Sequence, residues 1–65
     1  MDWANFDISG WKCMVDRLTG AVLAFSDDGK KRIECSAFDS KWAGMNDALN
    51  SIIQGARTEI AYAVC

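Results

Sequence analysis

The chain has 65 residues, 51% of them hydrophobic, with seven basic and nine acidic residues and a net charge of −2. That length makes one domain, residues 1–65, near the lower limit for independent folding. The mild charge excludes the electrostatic signature of a nucleic-acid or membrane binder, and the dense acidity of a DNA mimic.

The opening "MDWANFDISG" has two Asp and none of the basic residues that begin a secretion signal. Trp3 and Phe6 precede the first expected strand, placed either over a sheet face or against a partner. Trp11–Arg17 and Ala21–Phe25 have strand length and composition, with Thr19-Gly20 between them as a tight turn. Asp28-Gly29 is a stronger hairpin signal, leading into a third strand over Lys31–Ala37. An antiparallel three-stranded meander follows.

Two-residue turns at both places put Val15 opposite Ala24, Val22 opposite Cys35 and Ala24 opposite Ile33. Alternation then gathers Trp11, Cys13, Val15, Val22, Ala24, Ile33 and Cys35 on one nearly apolar face. The other face holds Lys12, Met14, Asp16, Leu23, Phe25, Arg32 and Glu34, an apolar strip of Met14, Leu23 and Phe25 fenced by charge.

Asp39 or Ser40 is a suitable helix cap. Beyond it Trp42, Met45, Leu49, Ile52, Ile53 and Ala56 recur at helical steps, and Trp42 is expected to meet Trp11 in the core. Helical spacing continues through Ile60, Ala63 and Val64, yet Thr58, Ile60, Tyr62 and Val64 also alternate as a strand would. A helix over Lys41–Gln54 spans about 21 Å, close to the sheet, whereas one reaching Val64 spans about 36 Å. This length argument favours a stop at Gly55 and a fourth strand over Arg57–Val64. The expected class is α+β, in the order βββαβ, with βββα and one long C-terminal helix as the alternative.

Catalytic equipment is sparse. Histidine is absent, which removes the commonest general base. Cys13 and Cys35 share a face but lie two strands apart, beyond disulfide reach, and read as small buried apolar residues. Cys65 has no basic partner in sequence to support a thiolate. No cysteine pair has zinc spacing, and "DDGK" lacks the ligand pattern of a calcium or phosphate loop. No enzyme activity, metal or cofactor is expected. An odd cysteine count without a secretion signal and with no membrane-length apolar run fits a cytoplasmic protein with free thiols.

The high apolar load for so small a core points instead to surface buried against another chain. The expected function is a non-enzymatic protein-binding module, comparable to phage-type inhibitors that occupy a host surface, or a homodimer. Its expected contacts are Met14, Leu23, Phe25, Trp3 and Phe6. The lesser reading takes Lys30, Lys31 and Arg32 as phosphate contacts. On "SAFDSKWAGMNDALNSII" and a βββαβ order, the chain resembles small antitoxins built on half a ribonuclease-H-like sheet, which implies a dimeric nucleic-acid-associated regulator.

Overall fold

A computed structural model describes residues 3–39, 41 and 44–63. Four strands, β1 (Trp3–Ile8), β2 (Trp11–Asp16), β3 (Ala21–Ser26) and β4 (Arg32–Ser36), form one antiparallel sheet in chain order. Helix α1 (Asp47–Ala63) packs on one side of it. The protein is α+β, a four-stranded meander closed by a C-terminal helix.

Alternation decides which side the helix takes. Ala4, Cys13, Val15, Val22 and Ala24 are buried on the inner face, with Phe6, Ile8, Trp11, Ile33 and Cys35 packed against them. Every inner-face residue expected from sequence lies on that face, and β1 adds three more. From α1, Leu49, Ile52, Ile53 and Ala56 are buried, and Ile60 packs at the rim. Burying an aliphatic side chain of this size contributes about 1.5–3 kcal/mol, so Ile52 and Ile53, both fully buried, anchor the helix.

The helix begins six residues later than the sequence suggests. Its cap is Asn46, whose Oδ1 accepts the Leu49 N–H at 2.8 Å, with Asp47 in the first turn. Such a cap stabilises by about 1 kcal/mol, and a carboxylate there favours the positive end of the helix dipole. Asp39 instead accepts the Lys41 N–H, a local turn outside the helix. Trp42, Ser40, Val64 and Cys65 lie outside the described residues, so the expected Trp11–Trp42 contact does too.

The helix also does not stop at Gly55. Arg57–Ala63 continue it, and the strand expected there is not formed. The later start explains why the length argument misleads: 17 residues span about 25 Å, only one turn longer than the sheet. Gly55 serves close packing. A Cβ built on it would lie 2.7 Å from Phe6 Cε2, 2.9 Å from Phe6 Cδ2 and 3.2 Å from Ile8 Cδ1.

The fourth strand is supplied by the N-terminal segment. Ser9-Gly10 turns β1 into β2, with Gly10 at φ 85° and Ile8 opposite Trp11. Trp3 and Phe6 thus belong to a strand, and alternation sends them to opposite faces. The turn between β2 and β3 is longer than expected. Residues 17–20 form it, closed by the Gly20 N–H donating to Asp16 O at 2.7 Å, and Val15 faces Val22 in place of Ala24. The pairing moves by two residues, an even number, so no side chain changes face. The β3–β4 register is the expected one, with Val22 opposite Cys35 and Ala24 opposite Ile33.

Candidate functional site

Hydrogen-bonded neighbours fix the layout of the outer face as three rows across β1 to β4. Trp3, Asp16, Ala21 and Ser36 make the first row; Asn5, Met14, Leu23 and Glu34 the second; Asp7, Lys12, Phe25 and Arg32 the third. Helix α1 covers the opposite side. Apolar side chains fill the middle: Met14 and Leu23 are half-buried, and Phe25 is 38% exposed. Exposed charges stand along the edges, with Asp7 on one edge strand and Arg32 and Glu34 on the other.

Trp3 leans inward from β1. It shares with Ala21, Leu23 and Glu34 an open depression of ≈ 310 Å³, with Val22 and Cys35 contributing to its lining. Asp16, beside Trp3 in the same row, is buried at 6% exposure and its Oδ1 accepts the Leu18 N–H at 2.9 Å. A wall of indole and leucine with one carboxylate suits the edge of a polypeptide better than a phosphate.

The structure brings together Met14, Leu23, Phe25 and Trp3 of the expected contact residues. Phe6 does not join them. It lies on the inner face against Gly55, so it belongs to the core. Asn5 and Asp7 are surface members that the sequence reading missed. The alternation of Ala4, Phe6 and Ile8, broken by Ser9-Gly10, is the signal that locates them.

Lys30, Lys31 and Arg32 do not form one basic patch. Lys30 and Lys31 share their hairpin with Asp27 and Asp28, and the Asp28 carboxylate accepts the Ser26 hydroxyl and the Lys30 N–H. Those hydrogen bonds, Ser26 first, hold its pKa below the ordinary carboxylate value. Arg32 projects onto the outer face and pairs with Glu34 at 3.2 Å. Nearby carboxylates dilute the positive potential a phosphate contact needs.

Cys13 and Cys35 are structural. Cys13 is buried and Cys35 half-buried, both as free thiols. Burial, with the Asp7 charge second, pushes the Cys13 thiol from 9.0 to about 11, and burial raises Cys35 as well. A raised pKa keeps a thiol protonated and unreactive at neutral pH. Among the described residues, no three His, Cys, Asp or Glu side chains gather as a metal site.

The Cys13 shift carries a stability prediction. Below pH 9 the thiol is protonated in folded and unfolded chains, and its contribution is fully present. Between pH 9 and 11 the unfolded chain binds fewer protons, so stability falls as pH rises. Urea unfolding should show a loss of about 1–2 kcal/mol across that window, a figure reduced for solvent screening. Cys13→Ala, though less stable throughout, should show a flatter profile. Parallel profiles for the two proteins would contradict the assignment.

Among the described residues, no helix is long and apolar enough to cross a membrane. No protein-family model, curated protein or solved structure matches the chain.

Proposed function

We propose that this protein is a non-enzymatic binding module that acts by occupying a surface of another polypeptide with the outer face of its sheet. The observation that carries the reading is the row arrangement. Met14, Leu23 and Phe25 form a continuous apolar strip across adjacent strands, rimmed by Asp7, Lys12, Arg32 and Glu34. An apolar centre with a charged rim is the general anatomy of a protein–protein interface. Blocking a partner's surface is also how small phage-type inhibitors work, and that is the class of action we assign. The antitoxin-like alternative has less behind it, because its resemblance needs a strand after the helix and its basic triplet is divided.

A pull-down from cell lysate tests the face. Phe25→Glu should reduce capture about 30-fold, as expected when a central aromatic anchor is lost, with helical content and urea midpoint unchanged. Tyr62→Glu, on the exposed flank of α1, should capture as the parent does. Loss with Tyr62→Glu and retention with Phe25→Glu would place the binding surface on the helix instead.

A further inference from the structure

We infer that in the free protein the outer face is covered by a second copy of this chain, packed face to face about a two-fold axis parallel to the strands and midway between β2 and β3, and that a target displaces this copy. The inference rests on the sheet-face reading and names what covers that face before a target does. Such an axis lays β1 over β4 of the second copy and β2 over its β3, and it keeps each row above itself. Asp7 then faces Arg32 of the second copy, and symmetry repeats the pair at the opposite corner. Asn5 faces Glu34, whose carboxylate accepts from the amide. Met14 meets Leu23 beside the depression bounded by Trp3, Ala21, Leu23 and Glu34. The aliphatic stem of Lys12 lies along Phe25, with its ammonium near the ring, a favourable pairing of cation and aromatic face.

The charge layout selects this arrangement over its rival. The other two-fold axis that keeps the strands of the two sheets aligned runs across the strands. It puts Glu34 over Glu34 of the second copy and leaves Arg32 over Ser36, so it adds repulsion and loses the Asp7–Arg32 pairs. It also sets Lys12 over Asp16, but that carboxylate is buried and already accepts the Leu18 N–H. Aligned stacking about the first axis is the ordinary geometry of sheet-on-sheet packing. Four strands about 4.8 Å apart and about 20 Å long offer roughly 400 Å² of flat area. That is about half of what each partner contributes to an interface of standard size. The dimer therefore dissociates on dilution.

Sedimentation equilibrium of the whole chain tests the geometry. The mass should rise from monomer towards dimer as concentration increases from about 10 µM to about 1 mM, the range suited to a small interface. Asp7→Arg and Arg32→Asp should each weaken association about tenfold or more, because each juxtaposes like charges twice. An equimolar mixture of the two variants should regain parental association, since both 7–32 pairs then hold opposite charges. A defect in folding would persist in the mixture, so recovery reports the contact itself. Monomeric mass at all concentrations, parental association by either single variant, or no recovery on mixing would overturn the inference. A monomeric parent whose lysate capture still fails with Phe25→Glu would overturn self-association alone and leave the sheet-face reading standing.

Discussion

Gly55→Leu should leave the protein largely unfolded at room temperature, and Gly55→Ala should lower its stability. The second result runs against helix propensity, which by itself makes alanine in a helix interior about 1 kcal/mol better than glycine. Packing reverses the sign. An added Cβ sits 2.7 Å and 2.9 Å from ring carbons of Phe6, closer than carbon atoms can approach. The ring is held between sheet and helix, so relief requires β1 or α1 to move. Overpacking of this kind costs about 1–3 kcal/mol, and the net for alanine is a loss of about 0–2 kcal/mol. Leucine adds three further carbons along the same direction and must separate the helix from β1, at a cost above about 3 kcal/mol. A domain this small has roughly 3–10 kcal/mol in hand. Urea denaturation of the alanine variant, alone and combined with Phe6→Ala, isolates the contact. The pair should show a coupling of at least about 1 kcal/mol. Stabilisation by Gly55→Ala alone would mean that the glycine has no packing role.

That glycine also explains what the sequence hid. Read locally, Gly55 is a helix terminator, because the reason for its presence is Phe6, far away along the chain. Ile60, Ala63 and Val64 keep a helix period while Thr58, Ile60, Tyr62 and Val64 keep a strand period, so only the start of the helix separated the two outcomes. There Asp39, Ser40 and Asn46 offer the same capping chemistry, and nothing local ranks them. By contrast, the meander from β2 to β4 and both of its faces were readable. Side-chain alternation survives a turn that is two residues longer than expected, because an even shift preserves the faces. β1 escaped because Asn5 and Asp7 are types depleted in strands, although the inward positions Ala4, Phe6 and Ile8 carry the pattern. The apolar strip of Met14, Leu23 and Phe25 was therefore visible in the sequence. The acidic corner at Asp7 was not, and with it the self-complementary charge layout of the outer face stayed hidden.

Gly20→Ala should cost about 2–4 kcal/mol, about twice the loss from Gly29→Ala. Both glycines have positive φ, 78° and 75°, so each substitution pays about 1–2 kcal/mol for placing a side chain in the left-handed region. They differ in surroundings. A Cβ on Gly29 meets nothing within 4 Å, whereas one on Gly20 lies 2.5 Å and 2.6 Å from the ring of Phe38. Phe38 is 61% exposed, but the added Cβ also crowds its Cγ at 3.1 Å, so the whole side chain must leave its rotamer above a backbone that cannot give way. The Gly20 N–H donates to Asp16 O at 2.7 Å, and Gly20 O accepts the Ala37 N–H at 2.8 Å. Ala37 is buried, and its carbonyl accepts Arg57 Nε at 2.8 Å. One corner thus ties the β2–β3 turn to the end of β4 and to α1, and moving Gly20 strains all three. Asparagine, which tolerates positive φ, should rescue position 29 but not position 20. Equal losses at the two positions in thermal or urea unfolding would show that the Phe38 ring merely rests on the turn and that backbone strain accounts for the whole effect.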